Sequence, residues 1–235
     1  MLKIQFLPLL AFYFLSSGAM AQVVGQNLAF LPEYQEQLPY FQELITGGKY
    51  EEPSSLIQGD PYYLTRQFES GSLTINEITY PGVPLLYDIF RDQILTFHPL
   101  FNQKILIKPG KVDRFVMGDG SAFARLEGND SFGKAGSGFY KVIAEGDFWA
   151  ISKPYKTSKS LREMSRYDEV YVEKEVFFLW KGGTFFPISK GKQAISLLGL
   201  NKAEAKQKLR AEQLNFKQNP EGYLRLLVNL TPSQP

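Results

Sequence analysis

Glu175-Val176-Phe177-Phe178-Leu179-Trp180-Lys181-Gly182-Gly183-Thr184-Phe185-Phe186 is the stretch that decides the fold class. A two-residue hairpin loop needs positive φ at both central positions, and Gly-Gly supplies it without a Cβ clash. That turn sets Trp180 opposite Phe185 and Leu179 opposite Phe186, aromatic and aliphatic cross-strand pairs of the kind that contribute roughly 0.2–1 kcal/mol each. Two other dipeptides read the same way. Asp119-Gly120 is expected to set Val116 opposite Phe123, and Glu145-Gly146 to set Val142 opposite Trp149 and Ile143 opposite Phe148. A further turn around Arg91-Asp92 joins Leu85 to Ile89 with Gln93 to Phe97. Hairpins in series make an antiparallel meander.

Outward from these turns, the whole segment from Pro61 to Ile188 consists of short Val, Ile, Phe and Tyr runs broken by Gly, Asp and Pro, the pattern of consecutive strands. From Ser189 to Thr231 the β-branched runs give way to Lys, Ala, Glu and Leu, and helices are expected. Ser189 is positioned to cap a helix through Leu198 that stops at Gly199, and Asn201 with Glu204 forms a capping box for a helix through Leu214. Asn219-Pro220 starts a third helix, with proline where its missing N–H costs nothing. Ile195, Leu198, Leu209, Leu224, Leu227 and Leu230 can then face the sheet. The expected fold is α+β, an antiparallel hairpin meander followed by two or three C-terminal helices, forming one domain over 59–235. Gln22 to Gln58, rich in Gln, Glu, Tyr and Pro, reads as an arm or cover segment with a short helix near Pro39 to Ile45.

Lys3, the apolar run Ile4 to Leu15 and the small residues of Ala19-Met20-Ala21 read as a secretory signal peptide over 1–21, cleaved after Ala21. The apolar run is shorter than the roughly 20 residues a spanning helix needs, and no second one follows, so no transmembrane segment is expected after signal removal. Within the 235 residues, 26 Lys and Arg stand against 24 Asp and Glu, a balance that does not favour nucleic acid as a partner. The absence of cysteine excludes disulfides, thiolate nucleophiles and cysteine metal sites, and a single histidine, His98, excludes sites needing two imidazoles.

Several motifs carry a resemblance: Tyr50-Glu51-Glu52-Pro53, Gly59-Asp60-Pro61-Tyr62-Tyr63, Gly71-Ser72-Leu73-Thr74, Val83-Pro84-Leu85-Leu86-Tyr87-Asp88-Ile89 and Gly138-Phe139-Tyr140. With the Glu175 to Leu179 strand, the Gly182-Gly183 turn and the Leu-rich last helix, the chain resembles an abundant group of uncharacterised secreted proteins of Bacteroidota. The resemblance covers about Lys49 to Leu230, with Val-Pro-Leu-Leu-Tyr-Asp its most specific block. It implies export to a Gram-negative envelope, periplasm or cell exterior, and it implies no activity.

No catalytic, cofactor or metal residue is assigned. Gly128-Asn129-Asp130-Ser131-Phe132-Gly133-Lys134 fits a phosphate-loop spacing, but Ala135 replaces the Mg²⁺-binding hydroxyl and the segment reads as a loop. Asp88, Asp92, His98, Glu173 and Glu175 are the candidates for a functional surface, because they lie on or beside expected strands where same-face spacing can bring carboxylates together. Each also has a structural reading. His98 suits a strand end, Asp88 and Asp92 flank a turn, and Glu173 and Glu175 alternate with apolar neighbours as solvent-facing residues do. Pro84 places the Val83 to Ile89 strand at an edge or just after a bulge, with Leu85 and Tyr87 on one face and Leu86 and Asp88 on the other. Asp88 is expected to accept from backbone N–H groups in the following turn.

Between Ser189 and Lys217, Lys190, Lys192, Lys202, Lys206, Lys208, Arg210 and Lys217 stand against Glu204 and Glu212. Such a face could meet anionic headgroups or an acidic partner, but a solvated helix surface is the commoner explanation of such a run. The expected function is a non-catalytic envelope protein that binds a protein partner, a glycan or an apolar ligand. The alternative is a carboxylate-dependent hydrolase acting on an envelope glycan or other extracytoplasmic substrate.

Overall fold

A computed structural model of the chain describes Leu44 and residues 47–98, 103–128, 135–161 and 166–231. The signal segment and the centre of the phosphate-loop-like stretch, 129–134, lie outside the described residues, as does the short helix near Pro39 to Ile45 apart from the buried Leu44.

Among the described residues eleven strands make one sheet: β1 Ile57–Gln58, β2 Glu69–Ile75, β3 Ile78–Asp88, β4 Gln93–His98, β5 Gln103–Leu106, β6 Val112–Val116, β7 Ala122–Leu126, β8 Gly138–Ala144, β9 Trp149–Ser160, β10 Glu169–Lys181 and β11 Thr184–Ile188. Three helices follow, α1 Gly191–Leu197, α2 Lys202–Ala211 and α3 Pro220–Asn229. The β-rich, mainly antiparallel sheet with C-terminal helices agrees with the expected class, but the sheet is not one meander. Its order is β1-β10-β9-β8-β7-β6-β2-β3-β4-β5, with β11 also on β10. Two meanders, β2 to β5 and β6 to β11, are joined where β6 lies against β2, and β1 adds a parallel pair on β10. Gly47 to Gln58, part of the expected arm, bonds to the sheet: Lys49 bridges Ile105, and Tyr50 N donates to Lys104 O at 3.2 Å.

The out-of-order junction forces curvature. The link Ile107 to Lys111 must carry the chain from β5 to β6 past β4, β3 and β2. In a flat sheet that distance is about 19 Å at ~4.8 Å per strand, close to the limit of about 20 Å for a fully extended link. The link is not extended, since Pro109–Lys111 form a 3₁₀ turn. The sheet therefore rolls, and Ile94, Ile107, Val112 and Phe115 meet in one buried cluster. Inside the roll Tyr87 packs 5.2 Å from Phe115, 5.1 Å from Phe123 and 6.2 Å from Phe139, ring centre to ring centre. Along β8 to β11 a second buried cluster lies under the helices, with Ile143, Ala150, Leu179 and Ile188 against Ala194, Ile195, Leu209, Leu224 and Leu227. Leu198 and Leu230 pack at its margin.

The hairpins divide by loop length. At Gly182 (φ 54°) and Gly183 (φ 82°) the two-residue turn forms, and Trp180 faces Phe185 and Leu179 faces Phe186 as expected. At Asp119-Gly120 the register is displaced by one: Phe115 faces Phe123, and Val116 faces Ala122. Gly120 N donates to Met117 O and Met117 N to Ser121 O, both at 2.9 Å, so the loop has three residues, with Gly120 (φ 84°) in the left-handed position. A one-residue slip exchanges sheet faces, and only the observed pairing puts both phenylalanines in the core. After β8, a bulge at Ile143 and a longer loop set Val142 opposite Ile151 and Ala144 opposite Ala150, so neither pairing expected from Glu145-Gly146 forms. Trp149 instead faces Trp180.

β3 begins at Ile78, ahead of its expected start, and the register irregularity at Gly71/Ser72 lets it run on through Pro81 and Pro84. Among the helices, Asn201 Oδ1 accepts from Ala203 N (2.9 Å) and Glu204 N (3.3 Å), and Asn219 Oδ1 from Gly222 N (2.8 Å). The α1 cap is Lys190 instead of Ser189, because Gln193 Oε1 reaches back to accept from both Ser189 N and Lys190 N at 3.0 Å. α2 ends at Ala211, short of Leu214. No described helix is long and apolar enough to cross a membrane.

Candidate functional site

The roll is closed at a fork between β8 and β9. Their ladder starts at Lys141 and Ser152, so Gly138 to Tyr140 and Lys153 to Ser160 diverge, and the β3–β4 turn fills the gap. Lys156 N, without a β8 partner, donates to Ile89 O at 3.3 Å. Asp92 Oδ2 accepts from Lys153 Nζ at 2.9 Å and Phe139 N at 3.3 Å, and its Oδ1 from Tyr87 Oη at 2.6 Å. Asp88, wholly buried on the opposite face of β3 from Tyr87, accepts on Oδ1 from Phe90 N and Arg91 N at 2.9 Å and on Oδ2 from Tyr50 Oη at 2.8 Å. Burial, then the Asp88 carboxylate, pushes the Tyr50 hydroxyl far above its ordinary range. Burial followed by Asp92 does the same to Tyr87, so both phenols stay protonated donors. Asp88 and Asp92 thus hold the seam of the sheet, and the turn contacts expected for Asp88 are present.

The other candidates are spread along the sheet. Glu173 lies 3.7 Å from Lys156 Nζ, which also bonds Asp60 Oδ1 at 3.2 Å and Tyr62 O at 2.5 Å. Glu175 stands on the same face two residues on. Partial burial, and the nearby Glu221 carboxylate, raise its carboxyl above the usual range, while Lys141, paired with Glu221 at 2.7 Å, acts the other way. His98 ends β4 opposite Gln103. Among the described residues no group of three or more His, Asp or Glu could hold a metal ion.

A concave surface lies at the helical end. A cavity of about 540 Å³ opens between the start of α1, one side of α2 and the loop before α3, lined by Lys190, Lys192, Lys206, Arg210 and Lys217, with no carboxylate in its wall. Lys206 and Arg210 are four apart on α2 and so share a face. Among the described residues none of the five cations closes an ion pair, while Lys141, Lys153, Lys156 and Lys181 elsewhere all do. Phe216 and Tyr223, edge to face at 5.5 Å, line the same cavity. Tyr223 is only 8% exposed, and its hydroxyl makes no hydrogen bond among the described residues. Burial alone raises it, so it remains a neutral donor. Its position depends on Gly191, where a Cβ would come within 2.6 Å of Tyr223 Cζ and Oη. A second cavity, about 660 Å³, shares Ser189 and Phe216 with the first and is walled by Val176, Phe177, Phe178, Pro187 and Ile188, with Glu175 at its rim. Both volumes are ordinary for small-molecule sites.

No family model matches the chain, and neither a curated protein nor a solved structure matches it. What the groove can bind therefore follows from its own chemistry. The cations were legible in sequence as a basic stretch. Tyr223 and Gly191 carry no sequence signal beyond an aromatic and a glycine near the starts of α3 and α1, and Phe216 lies in the loop before α3.

Proposed function

We propose that the chain is an exported, non-catalytic binding protein of a Gram-negative envelope, and that it takes an anionic partner into the groove between α1, α2 and the start of α3. Export is supported by the signal-like segment at 1–21 and by the resemblance to secreted proteins. The single observation that carries binding is the convergence on one cavity of five cations and a tyrosine hydroxyl that, among the described residues, have no ion-pair or hydrogen-bond partner and no carboxylate beside them. The five cations are exposed, so water and salt screen their mutual repulsion, but an anion held among them still relieves it while accepting charge-assisted hydrogen bonds. Asp88 and Asp92 support the non-catalytic reading, because fold contacts already occupy their oxygens. A hydrolase remains the second reading on one observation, the raised carboxyl of Glu175 near Glu221.

Inorganic pyrophosphate is the probe that tests the proposal. Calorimetric titration of the mature chain at low salt is expected to give saturable binding, weakened at least about tenfold, or ~1.4 kcal/mol, by Lys206→Glu/Arg210→Glu. The control Lys108→Glu/Lys111→Glu, on the exposed β5–β6 link, stays within about twofold. Equal losses in both variants, or no saturable binding, would remove the groove as the site.

A further inference from the structure

We infer that the groove's ligand is a single-chain anionic amphiphile, its charged head among Lys190, Lys206, Arg210 and Lys217 and its apolar chain in the adjoining cavity of Val176, Phe177, Pro187 and Ile188. The inference rests on the anion-binding reading above and names the ligand class. The two cavities differ in the charged side chains that line them, and they share a wall. One has five cations and a phenol donor, and the other is lined by Val176, Phe177, Phe178, Pro187 and Ile188 of β10 and β11, beside Glu175, Ser189 and Gln193. Phe216 belongs to both, its ring 6.1 Å from Phe177 on one side and 5.5 Å from Tyr223 on the other. A ligand crossing Ser189 and Phe216 therefore passes from a site that rewards charge to one that rewards apolar area, at roughly 25 cal/mol per Å² of surface removed from water.

The second cavity is poorly suited to a sugar. Its polar wall groups are Glu175, Ser189 and Gln193, and Gln193 Oε1 is already bonded to Ser189 and Lys190, leaving few partners for a ring of hydroxyls. Glu175 also sets polarity. A carboxyl lines the apolar cavity and none lines the basic one, so a ligand with anionic groups at both ends meets repulsion at one of them.

The test titrates the mature chain with dodecyl phosphate, octyl phosphate, inorganic phosphate and dodecyl maltoside, each below its micelle threshold, with pyrophosphate alongside. Dodecyl phosphate is expected to bind at least tenfold tighter than octyl phosphate and at least a hundredfold tighter than inorganic phosphate, with no saturable binding of the maltoside. Phe216→Ala, checked for folding by circular dichroism, is expected to shrink the dodecyl-to-octyl ratio below threefold. Pro187→Asp, at an exposed position of the apolar wall, is expected to do the same. Equal affinity for all three phosphates overturns the amphiphile and leaves the anion site standing. Maltoside binding as tight as dodecyl phosphate overturns it in favour of a purely apolar ligand. Failure of every probe, pyrophosphate included, removes both this inference and the function on which it rests.

Discussion

Tyr87→Ala is expected to destabilise the protein by about 4 kcal/mol, the range for removing a large aromatic side chain from a packed core. The ring has no exposed surface and sits among Phe115, Phe123, Phe139 and Tyr63, so neighbours from β6, β7, β8 and the segment ahead of β2 would line the void. The substitution also strips Asp92 Oδ1 of its 2.6 Å donor. Tyr87→Phe separates the two contributions, because it keeps the packing and loses only that bond, at a cost of about 1 kcal/mol. Urea denaturation of the three proteins measures both. Stability is commonly only about 5–15 kcal/mol, so the alanine variant should be close to unfolding at 37 °C. If it melts within about 1 kcal/mol of the parent, the aromatic cluster is not the centre of the fold.

Asp92→Ala is expected to cost roughly 2–3 kcal/mol. Three donors lose their acceptor at once: the Lys153 ammonium, the Phe139 N–H and the Tyr87 hydroxyl. Breaking a buried ion pair costs about 3–5 kcal/mol, and the figure is set lower here because water reaches part of the pair. Asp92 is 27% exposed and Lys153 13%. Lys153→Met in the Asp92→Ala background should restore part of the loss, since it removes the stranded charge and leaves an apolar chain over the Tyr140 ring, where the ammonium now lies 4.7 Å from the centroid. A double-mutant cycle by chemical denaturation reads the coupling directly. Additive single losses would mean that the β3–β4 turn does not lock the fork between β8 and β9.

Asp88 and Asp92 show where sequence stops being legible. Asp88 could be read in advance because its backbone partners, Phe90 and Arg91, are two and three residues away in the same turn. Asp92 could not, because Phe139 and Lys153 lie 47 and 61 residues on and meet it only once the sheet has rolled. Likewise the Gly182-Gly183 hairpin follows from the dipeptide alone, whereas Asp119-Gly120 suits both two-residue and three-residue loops, and the core, through Phe115 and Phe123, decides between them. The β2–β6 pairing that turns one meander into two has no local signature, since its strands are separated by β3, β4 and β5. At the candidate site, the charges of Lys190 to Lys217 were countable in sequence. That five of them face one cavity with the Tyr223 hydroxyl depends on how α3 packs on β8 and β9 and how α1 and α2 pack against it.

The central claim is that function resides in the basic groove and not in the carboxylates of the sheet. Amide chemical-shift mapping of the isotopically labelled mature chain during a pyrophosphate titration tests it most directly. The account predicts saturable shifts concentrated at Lys190 to Lys192, Lys206 to Arg210, Asn215 to Lys217 and Tyr223, with the amides of Asp88 to Asp92 unmoved. Shifts centred on Asp88 to Asp92 or on Glu173 to Glu175, with the groove silent, would contradict it.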